Sequence, residues 1–299
     1  MRVECSVCCE LGDDDGDISG FGVGPDQKLY VLERLGPKDD SWIDRKEACD
    51  WRVRCLGADG SQRVYLIRNQ RRNYNLVQPV PDGLLLVGSR CKFAAEATVP
   101  NGYVFDLGGN PLRSMLLGDG IQDIQSTASG DIWVSYFDEG VFGNLGWNRP
   151  IGSAGLLRFG GGGDCVYRFQ PVSGLDIIVD CYALNVTSAD EAWCYYYTQF
   201  PIVQIQNNRP VGYWACPVSG ASELAVWRDI VAMPAGYGAT HWTTLKLSPS
   251  GKAEPGEVLE FVDNSGAVLP PHTATCRCDG IWLIQDRVVY RTALRDLKL

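Results

Sequence analysis

The chain has 299 residues, 45% of them hydrophobic and including nine Trp and thirteen Tyr, which is enough apolar material for a large core and too much for a disordered protein. Its 36 acidic against 27 basic residues give a formal charge of −9, which disfavours nucleic acid as a partner and favours a basic protein. No run approaches the ~18 apolar residues of a membrane span, residues 1–10 lack the long apolar core of a signal peptide, and the protein reads as cytoplasmic with no membrane association.

Residues 2–9, Arg-Val-Glu-Cys-Ser-Val-Cys-Cys, read as a strand without a neighbour of its own. Asp13, Asp14, Asp15, Gly16 and Asp17 follow, and their carboxylates suit calcium. With Gly16 at the turn of an EF-hand loop, however, the first ligand position falls on Leu11 and the closing glutamate on Gly22, so the segment reads as an acidic surface loop. From there one pattern recurs: a polar or glycine-containing turn, then a bulky residue that opens a short apolar run. The openers are Tyr30, Leu85, Trp133, Trp193, Trp242 and Trp282, spaced 40 to 60 residues apart. Runs such as 133–137 and 193–197 are rich in aromatic and β-branched residues and no long window has a helical period, so the elements are strands. Arg68, Arg71 and Arg72 have the composition of an anion clamp but read as a solvated charge run in so acidic a chain. Gly108-Gly109-Asn110 marks a tight hairpin, as do Gly160 to Gly163, which no helix pattern follows and which therefore form no nucleotide loop.

Four strands per repeat give units at about 18–70, 75–118, 121–171, 175–217 and 222–263, with a sixth from about 272 that runs out of chain after three strands. This pattern resembles the six-bladed β-propellers over essentially the whole chain, without the Gly-His and Trp-Asp signatures of WD repeats. The prediction is an all-β single domain over residues 1–299, a six-bladed β-propeller whose ring is closed by an N-terminal strand completing the C-terminal blade, which removes the edges a broken ring would expose. The stretch 131–143, Asp-Ile-Trp-Val-Ser-Tyr-Phe-Asp-Glu-Gly-Val-Phe-Gly, is similar to one in uncharacterised bacterial propeller proteins. That likeness implies a bacterial source and no activity.

Loops between second and third strands emerge on one face of such a ring, and here they are long in the first three units: 34–50, 89–101 and 138–153. The first carries Asp39, Asp40, Trp42 and Asp44, and the third Asp138, Glu139, Phe142 and Trp147, a mixture of charge and aromatic side chains suited to a protein contact. The alternative is that Trp42 and Trp147 fold back to cap their own blades. The twelve cysteines read as reduced. Cys5, Cys8, Cys276 and Cys278 would form a structural zinc set if the terminal strands paired, although Cys276 and Cys278 share a strand face and equally well pack between blades. With only His241 and His272 present, His-based catalysis lacks its parts. Gluconolactonase-like propeller hydrolases hold a metal over the channel with acidic and Asn side chains; Asp123, Asp138 and Glu139 approach that region, but no full ligand set is identifiable.

These observations favour a non-catalytic, acidic protein-binding propeller with no cofactor and a basic protein partner. One concrete form is an immunity protein that masks the cationic site of a secreted nuclease-type toxin. A metal-dependent propeller hydrolase or lyase acting at the channel is the second reading, and a scaffold in a larger assembly the third.

Overall fold

In the computed structural model, which describes residues 1–12, 16–39, 41–270 and 274–299, the elements are almost all strands. Two short strands come first, β1 (Arg2–Glu4) and β2 (Ser6–Glu10). Blade one is β3 (Asp17–Val23), β4 (Leu29–Leu35), β5 (Asp44–Leu56) and β6 (Gln62–Arg72). Blade two is β7 (Leu76–Val80), β8 (Gly83–Val87), β9 (Gly102–Phe105) and β10 (Pro111–Met115). Blade three is β11 (Ile121–Ser126), β12 (Ile132–Tyr136), β13 (Leu156–Phe159) and β14 (Cys165–Arg168), with the one-turn helix α1 (Asp138–Phe142) after β12. Blade four is β15 (Asp180–Val186), β16 (Glu191–Tyr197), β17 (Ile202–Gln206) and β18 (Arg209–Trp214). Blade five is β19 (Ala225–Trp227), β20 (Ile230–Pro234), β21 (Trp242–Leu247) and β22 (Ala253–Val262). Blade six is β23 (Ala274–Arg277), β24 (Gly280–Gln285) and β25 (Val288–Ala293), with β2 as its outer strand.

Each blade hides its apolar residues against the next one, and the core is accordingly divided among six clusters, one per seam. Trp51, Tyr74 and Phe105 fill the first seam; the sixth joins Val23, Leu29 and Val31 of blade one to Trp282, Ile284 and Val289 of blade six. Inner strands approach closely at Gly20, where a Cβ would lie 2.0 Å from the Asn75 carbonyl oxygen. Only glycine fits there.

The ring closes as expected, with one difference at the N-terminus. The segment 2–9 is not one strand. It breaks at Cys5, whose side chain is buried in the seam between blades five and six and whose amide donates to the Val262 carbonyl at 2.8 Å. β1 therefore adds to blade five as a fifth strand, parallel to β22, while β2 pairs antiparallel with β25. A buried ion cluster seals the junction. The fully buried Glu33 carboxylate accepts from Arg52 (2.5 Å), Arg54 (2.8 Å) and Arg287 (2.8 Å), and Arg287 also donates to the carbonyls of Gly12 and Gly16.

The openers Tyr30, Leu85, Trp133, Trp193 and Trp282 all lie on second strands, but Trp242 begins the third strand of its blade. There the first hairpin is the tight Trp227-Arg228-Asp229-Ile230 turn, with Arg228 at φ 56°, between strands too short to show a pattern.

The long-loop face and the channel mouth

The inner strands β3, β7, β11, β15, β19 and β23 each run from the face that carries the second-to-third-strand loops toward the opposite face. Near the far end the channel is closed by polar side chains. Gln125 donates to the carbonyls of Leu184 (2.9 Å) and Cys276 (3.2 Å) and accepts from the Val186 amide. Asn185 donates to Leu224 (2.6 Å) and Cys278 (2.9 Å), and Arg277 reaches Val23 and Ser126. With Gln78 of β7 accepting from the Ser126 amide at 3.1 Å, six inner strands that share no main-chain ladder with one another are stitched across the axis.

Nearer the long-loop face sit two carboxylates. Asp123 is pushed up to about 7 by burial, and Glu223, which accepts from the Cys276 amide at 3.1 Å, is pushed up by burial and then by the charge of Asp123. Both residues are half-buried.

On the outer part of this face the loop of blade one, 36–43, is shorter than expected, because β4 and β5 extend into it. Asp39 caps it from within: hydrogen bonds from the Ser41 side chain and the Lys46 and Ser41 amides hold its carboxyl near 2. Asp44 pairs with Arg72 (3.3 Å). Trp42 remains 72% exposed, with one face over the Arg90 guanidinium at 5.9 Å. Arg90 is itself fixed, through two bonds to the buried Asp119 (3.0 and 3.1 Å), a contact to Glu139 (2.6 Å) and stacking on Phe137. Phe142, on α1, is 63% exposed. Trp147 is buried: its indole donates to the Cys91 carbonyl at 2.6 Å and its ring packs on Phe93, so the blade-three loop is pinned to that of blade two. A groove of roughly 500 Å³ opens beside Trp42, lined by Ser19, Arg34, Lys38, Asn75 and Ser89 among others.

The structure thus brings Trp42, Glu139 and Arg90 together, leaves Asp138 and Phe142 exposed on the neighbouring helix, and uses Asp39, Asp44 and Trp147 to shape the loops. Asp40, Asp13, Asp14, Asp15 and His272 lie outside the described residues. The four cysteines of the zinc set do not converge. Cys5 and Cys276 sit in the seam between blades five and six, Cys8 in the seam between six and one, and Cys278 beyond the channel plug beside Gln27. Burial raises Cys5 to about 12 and Cys8 to about 11, which keeps both as thiols. Among the described residues no three His, Cys, Asp or Glu side chains gather as a metal-ligand group. Arg72 is not solvated as expected but buried against Asp44 and the Pro100 carbonyl; Arg68 lies beside Asp50, and Arg71 is exposed. His241 is exposed ahead of β21. Arg90 and Asp119 were not visible as partners in the sequence, being 29 residues apart in two different loops.

The class is a six-bladed β-propeller with a polar-plugged channel and its longest loops gathered on one face. Residues 173–292, which take in blade four, blade five and most of blade six, match the profile of the YxzG family. Among solved structures the chain is similar to a functionally unknown protein from Desulfotomaculum acetoxidans DSM 771, at 10% identity and a TM-score of 0.51, over 93% of this chain and 83% of that chain. That likeness is one of fold. No curated protein matches. Among the described residues no helix is long and apolar enough to cross a membrane.

Proposed function

We propose that the protein is a non-catalytic binding propeller that docks a protein partner on its long-loop face, with Trp42 and Phe142 as the anchors. The observation that carries this reading is Trp42: a large aromatic ring, exposed, yet held on a guanidinium that a buried carboxylate locks in place. A pre-ordered aromatic loses little entropy on binding, which is what makes such residues dominate interfaces. The charge of −9 would steer a basic partner. In a bacterial cytoplasm an immunity or inhibitor protein that masks a basic secreted nuclease-type toxin is one such role. In that role Asp138 is an exposed acidic residue on this face, whereas Asp39, Asp44 and Glu139 are engaged within the chain.

The test is affinity capture from the native lysate at low and moderate salt. A salt-sensitive basic protein held by the wild-type chain and lost on Trp42→Ala supports the reading; a partner indifferent to Trp42 counts against it.

A second reading, a metal-dependent hydrolase or lyase at the channel, has one observation behind it, the neighbouring carboxylates of Asp123 and Glu223. Calorimetric titration of the protein with Mg²⁺, Ca²⁺, Mn²⁺ and Zn²⁺, with Asp123→Asn as control, tests it directly.

A further inference from the structure

Blades four and five present a second aromatic cluster on the same face. Phe200 is surrounded by the rings of Tyr182, Tyr195, Tyr197 and Tyr237 at 5.3 to 6.2 Å, and a 2.8 Å hydroxyl contact between Tyr182 and Tyr237 ties the two blades together. The inner members make a core, but Tyr237 is 64% and Tyr197 42% exposed. Asp180 lies opposite Tyr197 in the β15–β16 register, and its charge acts on the Tyr182 hydroxyl. The helix α1 packs against β15 and brings Asp138 close enough to repel Asp180, which burial and that repulsion push up to about 6.

What separates these two carboxylates from their neighbours is the lack of a counter-ion. Asp44, Asp119 and Glu139 are each taken by an arginine. Among the described residues no lysine or arginine pairs with Asp138 or Asp180. Exposed tyrosine rings beside uncompensated carboxylates suit an organic cation, which gains from the ring faces and relieves the repulsion between the acids.

We propose that the mouth between blades three, four and five receives a lysine or arginine side chain of the protein partner, seated against Tyr197 and Tyr237 with Asp138 and Asp180 as its counter-charges. This rests on the protein-binding reading above and assigns the chemistry of a second contact, across the face from Trp42.

The experiment is calorimetric titration of the full chain with hexa-arginine and, separately, hexa-glutamate peptides. Hexa-arginine should bind saturably with one-to-one stoichiometry and hexa-glutamate should not. Asp180→Asn and Tyr237→Ala should each weaken hexa-arginine about tenfold, while Tyr237→Phe, which keeps the ring and controls for folding, should retain it and Trp42→Ala should leave it unchanged. Non-saturable binding, or affinity unaltered by Asp180→Asn, overturns the proposal, since the acidic surface would then act diffusely. The two readings fail separately. Loss of the cellular partner on Trp42→Ala with hexa-arginine indifferent to Asp180→Asn removes only this contact, whereas saturable, Asp180-dependent hexa-arginine binding in a chain whose partner ignores Trp42 removes only the anchor.

Discussion

Arg90 owes its position to Asp119, and Trp42 owes its position to Arg90. The Asp119 carboxylate, almost wholly buried, accepts both guanidinium bonds and the Cys91 amide at 2.7 Å, so truncating it strands a largely buried cation and an amide together. Asp119→Ala should cost about 3–5 kcal/mol of stability, read from urea unfolding, and should loosen the Trp42 face with it. Trp42→Ala removes an exposed ring and should change stability by no more than about 0.5 kcal/mol while weakening partner affinity roughly thirtyfold, the effect of losing a hot spot worth about 2 kcal/mol. The exposed rings of Trp42 and Phe142 were legible in the sequence, because a tryptophan or phenylalanine in a charged loop stands out by type alone, although the same signal also picked out Trp147, which is buried. Their support was not. Nothing in the residues around Arg90 announces a partner at Asp119, and nothing around Trp147 points to the Cys91 carbonyl, since both contacts depend on how two loops of neighbouring blades lie against each other.

The turn-plus-opener pattern located five second strands because each opener is a bulky side chain that fills a seam between blades, so register and packing leave the same mark on the chain. Blade five escaped it where a three-residue β19 leaves no room for alternation. The residues of the N-terminal segment fit one strand; the break comes from the burial of Cys5 between two blades, which is a property of the closed ring. Packing between inner strands makes its own prediction. Gly20→Ala forces a Cβ against the Asn75 backbone and should cost about 1–3 kcal/mol, whereas Gly162→Ala, with open space around it, should leave the thermal midpoint unchanged.

For the whole molecule, stability depends on closing the ring, and the closure is ionic as well as apolar. Glu33→Ala removes the acceptor shared by Arg52, Arg54 and Arg287 and should lower stability by about 3–5 kcal/mol, with early proteolysis of the N-terminal strands. The channel carboxylates give the pH profile its sign. Asp123 and Asp180 are pushed up to about 7 and 6 in the folded chain against 3.8 when free, and Glu223 is raised as well, so above about pH 4 the native state binds more protons than the unfolded one and stability falls as pH rises through these values. Asp82, Asp106 and Asp263, held low by hydrogen bonds, act in the opposite sense and only below about pH 4. Asp123→Asn should flatten the decline, as followed by urea midpoints from pH 4.5 to 8. Docking of a protein partner through Trp42 is tested by capture from the native lysate with three baits: the wild type, Trp42→Ala, and Asp190→Ala, whose exposed turn lies on the opposite face. One partner is expected, retained by the wild type and Asp190→Ala and lost by Trp42→Ala; equal recovery by all three, or a partner lost only on Asp190→Ala, would rule out docking through Trp42.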